Sequence, residues 1–232
     1  MLYVKSGTSG TLWRITDTGT VSVASQDMGT AVDLAIDGTG AVFAPQLDTN
    51  TIRRLRSDGT SDYTYVYPYD YPAGGVAIES PGLPTNHLFY AGRNRDLWSL
   101  TLSDWAPASG IPTQQIGGAC AAAHHLVYRP SLHSLAGAAG NVAVSISVAD
   151  GTCSTIATGF VQAEGVAWDD VNQVLYVSDS GTGRITKIPP TGPPVFLKAP
   201  QLAQPTGMVF DPVRDEVVIA ETGADNVVFL SK

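Results

Sequence analysis

The chain has 232 residues, is 44% hydrophobic and 15% charged, and contains 24 Gly and 15 Pro. That is ample apolar content for the core of one large all-β domain or two small ones, and so many turn formers fit short strands better than helices. A net charge of −8 argues against nucleic acid, which needs clustered Lys and Arg, and against an anionic membrane surface.

The predicted elements follow in chain order. "LYVKSGTSGTLWRITDTGTVSVAS" opens the chain from Leu2 as three short strands. "AVDLAIDGTGAVFAPQLDTNTIRRLRSDGTSDYTYVYP" starts at Ala31, and its alternating apolar pattern predicts four. Its fourth strand begins a run of five tyrosines at every second position, Tyr63, Tyr65, Tyr67, Tyr69 and Tyr71. Pro68 cannot donate to a ladder and Pro72 holds Tyr71 extended, so the strand is expected to end near Tyr67. Inter-blade packing is the expected use of the first three rings. Tyr69 and Tyr71 ride the following crossover and are candidates for touching a glycan or a protein partner.

"AGGVAIESPGLPTNHLFYAGRNRDLWSLTLSD" starts at Ala73, and "AAHHLVYRPSLHSLAGAAGNVAVSISVADGTCSTIATG" at Ala122. The sharpest unit is Ala163 to Pro200, "AEGVAWDDVNQVLYVSDSGTGRITKIPPTGPPVFLKAP". It reads as four strands separated by Asp-Asp, Ser-Gly-Thr-Gly and Pro-Pro-Thr-Gly turns. "PTGMVFDPVRDEVVIAETGADNVVFLSK" ends the chain with three. The units run approximately 1–27, 31–68, 73–118, 122–160, 163–200 and 204–232.

A four-stranded unit at a period of about forty residues predicts a single β-propeller over residues 1–232. The expected fold is all-β, with about six blades of mostly four antiparallel strands and the first and last blades incomplete. The first lacks its innermost strand and the last its outermost. The sequence leaves the closure of the ring open, and a strand supplied by another chain is one solution. No apolar run is long enough to span a bilayer and no secretory leader stands at Met1. A mature secreted domain has the same appearance. Scarce Lys with plentiful Thr, Ser and Gly leans toward an extracellular or periplasmic site.

Aligning the first strands on Leu34, Val76, Leu126, Val166 and Met208 gives the residues that ring the channel mouth. They are Val32-Asp33, Gly74-Gly75, His124-His125, Glu164-Gly165 and Thr206-Gly207. The functional groups among them are Asp33, His124, His125 and Glu164. Imidazole with carboxylate suits zinc, and carboxylates with waters suit calcium. The plainer reading, one His bonded to backbone and one in solvent, carries more weight, because no ligand spacing of known specificity is present. His124 and His125 are also the candidate catalytic bases.

Arg93 and Arg95, in a loop between second and third strands, are candidates for gripping an anionic ligand. Arg53, Arg54 and Arg56 read as a solvated basic face. Asp179 and Glu221 end second strands, where carboxylates accept N–H groups of the following turn. Cys120 falls before a first strand and Cys153 at the start of a fourth. That separation predicts two thiols rather than a bridge.

The phrase "G-V/M-A/V-hydrophobic-D … L-Y-V-x-D-S-G-x-x-R-I", sharpest from Gly165 to Ile185, resembles the NHL-repeat family of six-bladed propellers. The gluconolactonase and senescence-marker-protein group is a related resemblance. Its members hold a catalytic divalent metal at the channel mouth. Glu164 in "AEGVAW" stands where their "PNG" phrase places an Asn, so the resemblance implies Glu164 as a metal ligand. No Asn stands at a blade start, and the family's early Glu has no counterpart.

The sequence therefore supports a non-catalytic binding or assembly module with a protein or glycan partner. The alternative is a metal-dependent hydrolase or lactonase. There the metal would polarise a carbonyl and acidify a bound water, with His124 or His125 as base. A third reading is a lyase with the same base.

Overall fold

The computed structural model describes the chain apart from residues 6–8, 48, 68–71, 80–86, 93–95, 106, 118–123 and 198–200, and apart from the side chains of Tyr67, Pro72, Ala73 and Pro112. Tyr69, Tyr71, Arg93, Arg95 and Cys120 lie outside the described residues. No helix among those described is long and apolar enough to cross a membrane.

The first sheet is a meander of β1 (Leu2–Lys5), β2 (Leu12–Ile15) and β3 (Val21–Ser25). The second takes β4 (Ala35–Ile36), β5 (Val42–Pro45), β6 (Thr51–Leu55) and β7 (Ser61–Tyr67). The third begins with β8 (Pro72–Ile78), β9 (His87–Gly92) and β10 (Leu97–Thr101). Next, β11 (Gly110–Pro112) returns to pair in parallel with β7 on the second sheet. β12 (Gln114–Gly117) then completes the third. The fourth sheet holds β13 (His125–Arg129), β14 (Ser134–Ser147), β15 (Cys153–Asp169), β16 (Val174–Asp179), β17 (Arg184–Ile188) and β18 (Val195–Phe196) in sequence order. The fifth is a meander of β19 (Pro205–Asp211), β20 (Glu216–Glu221) and β21 (Asn226–Ser231).

The described strands form five sheets, which corrects the expected count of about six. The cause is β15. The sequence reads residues 161–162 as a crossover between two units, yet the chain stays extended from Cys153 to Asp169. Phe160 and Ala163 are both buried and pull this stretch into the core. β15 pairs with β14 through its first half and with β16 through its second, with register shifts between Gly140 and Val142 and between Ala163 and Val166. Two sequence repeats thereby share one sheet.

Apolar faces pack sheet against sheet. Leu12 and Met28 meet Val42 and Leu55 between the first and second sheets. Phe43, Ile52 and Val66 meet Tyr90 and Leu100 between the second and third. Phe89 and Leu97 meet Leu135 and Ile146 between the third and fourth. Tyr176 and Ile185 meet Val217 and Ile219 between the fourth and fifth. These faces follow from strand alternation, which sends every second residue to the same side.

On β7 the packed residues are Thr64 and Val66, whereas Tyr65 is exposed. The expected packing role for the tyrosine side is therefore corrected for Tyr65. The rings of Tyr63 and Tyr65 instead meet edge-on at 5.6 Å. The basic run is not a free patch. Arg54 grips Asp62 with two hydrogen bonds, at 3.1 and 2.7 Å, and lies 4.5 Å over the Trp105 ring. Arg56 also pairs with Asp62, and Arg53 with Asp27. Burial pushes the Asp62 carboxyl up, but the Arg54 and Arg56 contacts outweigh it and hold it below the usual range.

The last residue is pinned as well. Lys232 Nζ donates to the buried Asp169 at 2.7 Å and to Asp215 at 2.5 Å. Burial raises the Asp169 carboxyl's pKa, and the bonds from Lys232 and Asn172 bring it below the ordinary value.

Cys153 is disulfide-bonded, which overturns the expectation of two thiols. The sequence reading carried the chain from β12 to the centre by residue 120. In the fold, the end of β12 at Gly117 packs backbone against backbone on Gly151, two residues before Cys153. Cys120 is the one other cysteine in the chain, three residues beyond Gly117. That is a reach of roughly 10 Å at most.

Candidate functional site at the ring axis

The inner strands β4, β8, β13, β19 and the second half of β15 lie side by side around the axis. Two glycines let them approach. A methyl added at Gly75 would overlap the backbone of His125 and Leu126, and one at Gly165 would overlap the Thr206 carbonyl oxygen. Only glycine fits at such contacts. Beside Gly165 runs a short relay: its N–H donates to Ser178 Oγ at 2.8 Å, and that hydroxyl donates to the Thr206 carbonyl at 2.9 Å.

Asp33 is the hub of the axis. Its Oδ1 meets His125 Nδ1 at 2.9 Å and accepts the Leu34 N–H at 2.9 Å. Its Oδ2 accepts the backbone N–H of Val76 at 2.8 Å and of Leu126 at 3.2 Å. One carboxylate therefore ties the entry to β4 to two further sheets. A methyl added at Gly207 on β19 would come into van der Waals contact with the His125 ring. Both side chains are 12% exposed.

Burial alone would lower the pKa of His125. The charge and hydrogen bond of Asp33, with the charge of Glu164, outweigh it and hold the imidazole above its ordinary value. A raised histidine pKa means the folded state favours the imidazolium. Its stabilisation is fully present below the unfolded pKa of about 6.5 and fades as pH rises through the folded value. Unfolding temperatures measured from roughly pH 5.5 to 9 are therefore expected to show a wild-type advantage over His125→Gln that shrinks with rising pH. A difference constant with pH would contradict the pairing.

The other mouth residues divide. Glu164 is half-buried and accepts a hydrogen bond from Gln162 Nε2 at 2.5 Å. His124 is exposed, and its backbone N–H bonds the Ala138 carbonyl at 3.0 Å. The structure thus brings Asp33, His125 and Glu164 together at the axis and leaves the His124 side chain in solvent. Among the described residues no three His, Cys, Asp or Glu side chains are grouped to hold a metal ion. Both Asp33 oxygens already accept hydrogen bonds, so the donor set as arranged does not fit a resident divalent ion.

Asp179 accepts the N–H groups of Val161, Gln162 and Gly181 at 3.0, 2.8 and 3.2 Å. Burial raises its pKa, but these bonds bring the carboxyl below its usual range. Glu221 accepts the N–H of Ala203. Gln46 does the same work at the end of β5, accepting from Thr30 N–H and donating to the Met28 carbonyl. Each long polar side chain ending a second strand reaches back to the segment that leads into a first strand. The expected bond to the following turn holds for Asp179 through Gly181, whereas Glu221 reaches back to Ala203, which corrects its expected role, and Gln46 was missed. The signal was its matching place in the repeat.

No protein-family profile matches the chain, and no curated protein matches it. Solved structures do. A chain of the nidogen/laminin complex is 14% identical with a TM-score of 0.73, over 100% of this chain and 92% of that one. Virginiamycin B lyase from Staphylococcus aureus is 12% identical with a TM-score of 0.67, over 99% and 80%. A streptogramin B lyase is 11% identical with a TM-score of 0.69, over 99% and 78%. At such identities a likeness speaks for architecture and not for activity. With the ring of sheets described above, it shows that the chain is a β-propeller.

Proposed function

We propose that the chain is a non-catalytic propeller that serves as a binding or assembly module in an extracellular or periplasmic setting. One observation carries this reading: the ionisable cluster at the axis is consumed in holding sheets together. Asp33 spends both oxygens on His125 and on backbone N–H groups of the second, third and fourth sheets. The disulfide at Cys153 supports an oxidising compartment. The shared fold with a chain of a protein–protein complex fits a protein partner. Tyr69, Tyr71, Arg93 and Arg95 are the proposed contacts for that partner or for a glycan.

The second reading is an enzyme, either a hydrolase or lactonase using a divalent metal or a lyase. It rests on the His125–Asp33 contact, since a carboxylate orienting an imidazole is a general-base arrangement. Two fold relatives carry lyase names. Against it, both oxygens of Asp33 are also committed to backbone N–H groups of Leu34, Val76 and Leu126, so the pair is built into the sheet contacts.

Assays of the purified protein on lactones and esters, with zinc or calcium and with a chelator, separate the two. The binding reading expects no turnover, together with glycan-array or protein binding that the Tyr69→Ala/Tyr71→Ala double variant weakens by about tenfold or more. Turnover abolished by chelation and by His125→Ala would replace it with the enzyme reading.

A further inference from the structure

A cavity lies at the outer rim of the fourth sheet, away from the axis. β18 holds only Val195 and Phe196 and follows Pro193 and Pro194, which cannot donate to a ladder. Beyond it the returning chain is tied to the start of β17 at two points. Leu197 N–H donates to the Ile185 carbonyl and Leu202 N–H to the Gly183 carbonyl, both at 2.9 Å. Those carbonyls are two residues apart, whereas their donors are five apart. Gln201 Nε2 adds a bond to the Thr182 carbonyl at 3.2 Å.

These ties frame a cavity of about 460 Å³, open to solvent and lined by residues 182–185, Phe196, Leu197 and Gln201. It falls in the size range of small-ligand sites. Its one charged group is available. Arg53, Arg54, Arg56 and Arg214 each meet a carboxylate. Among the described residues no carboxylate pairs with Arg184, whose exposed guanidinium lies 4.9 Å over the Phe196 ring. That contact holds the guanidinium at the cavity wall while its N–H fork stays open to an anion. Phe196 itself is 64% exposed.

The lining selects among anions. A single guanidinium matches the two oxygens of a carboxylate. A phosphate or sulfate needs further donors, and the N–H groups of Thr182, Gly183 and Leu197 are already given to the Asp179 and Ile185 carbonyls. The net charge of −8 also works against a polyanion. The exposed Phe196 ring offers a negative face to the C–H groups of a pyranose. The Gln201 amide and the lining carbonyls offer partners to its hydroxyls. An extended peptide fits less well, because a β18 edge of two residues is too short to pair with a strand.

From this cavity and its unpaired cation we infer that the rim site binds a uronic acid residue of a glycan, with Arg184 gripping the carboxylate and Phe196 stacking on the pyranose. The site shares no residue with the axis or with the proposed Tyr69 and Tyr71 contacts. It therefore stands or falls separately from either reading of the function.

The test titrates the wild-type protein, followed by NMR, with oligosaccharides ending in glucuronic or galacturonic acid. The same chains ending in glucose or galactose, with acetate and inorganic phosphate, are the controls. Arg184→Gln and Phe196→Thr alter exposed side chains, so both variants are expected to unfold near the wild-type temperature. At least one acidic sugar should bind about tenfold or more tighter than its neutral counterpart and shift the amide signals of Arg184, Ile185, Phe196 and Leu197. Arg184→Gln should erase that preference, and Phe196→Thr should weaken both sugars. The Tyr69→Ala/Tyr71→Ala double variant should leave the preference intact. Acidic and neutral sugars that bind alike, or fail to bind, would overturn the inference. Acetate or phosphate binding as tightly as the acidic sugar would reduce the site to an anion contact and overturn it too. So would a preference that survives Arg184→Gln and is lost in the tyrosine double variant.

Discussion

Asp33→Ala is expected to lower stability by about 3–5 kcal/mol, the usual cost of breaking a buried, hydrogen-bonded charge pair by removing one partner. The loss has identifiable sources. The His125 ring would keep its burial and lose its adjacent carboxylate. The N–H groups of Val76 and Leu126 would lose their acceptor at the most crowded point of the ring. For a domain of this length the fall in unfolding temperature is expected to be roughly 6–20 °C. Asp33→Asn keeps the shape and one acceptor oxygen, so its loss should be clearly smaller. Calorimetry of the two variants beside the wild type checks the order. Equal, small losses would mean that Asp33 does not clasp the sheets.

Gly165→Ala is expected to be at least as damaging for a steric reason. The added methyl would overlap the Thr206 carbonyl oxygen, which is backbone and is itself held by the Ser178 hydroxyl. Neither atom is the free end of a flexible side chain, so β15 and β19 would have to separate. The cost of such overpacking is about 3 kcal/mol or more, and separating the strands would also loosen the Tyr176 and Val217 seam between the fourth and fifth sheets. Ser178→Ala removes the relay without adding volume and should cost only about 1 kcal/mol. Denaturant midpoints for the two variants test the distinction. An Ala at 165 tolerated as well as an Ala at 178 would contradict the close approach of β15 and β19.

Much of the architecture was legible because its signals are local. The repeat was readable in "LYVSDSGTGRI" and its echoes. The alignment on Leu34, Val76, Leu126, Val166 and Met208 put Asp33, Gly75, His125, Gly165 and Gly207 at the positions that meet around the axis. Pro68 marked the end of β7 at Tyr67.

The rest depended on long-range packing. β15 stays extended through "TGFVQAEG" because Phe160 and Ala163 are buried by residues far along the chain, and this fused two repeats into one sheet. β11 has a Gly and a Pro within three residues and no strand signal. The almost fully buried Ile111 anchors it on β7, and at a sheet edge Pro is tolerated. The disulfide at Cys153 was missed because β12 ends beside the Gly151 turn rather than at the axis.

The axis residues were legible as positions but not as partners. A carboxylate and a histidine at a channel mouth suggest a ligand set equally well before their distances are known. The bonds from Asp33 to His125, Val76 and Leu126 support the clasp reading over a ligand set.

The most direct test of that clasp is a double-mutant cycle on stability at about pH 5.5, roughly one unit below the ordinary histidine pKa, so that His125 is mostly protonated in both folded and unfolded chains, using Asp33→Ala, His125→Ala and the double variant. The clasp predicts a coupling energy of about 1–3 kcal/mol, so that the double variant loses much less than the sum of the singles. Additive losses, within about 0.5 kcal/mol, would contradict it and return Asp33 and His125 to the list of groups free for chemistry.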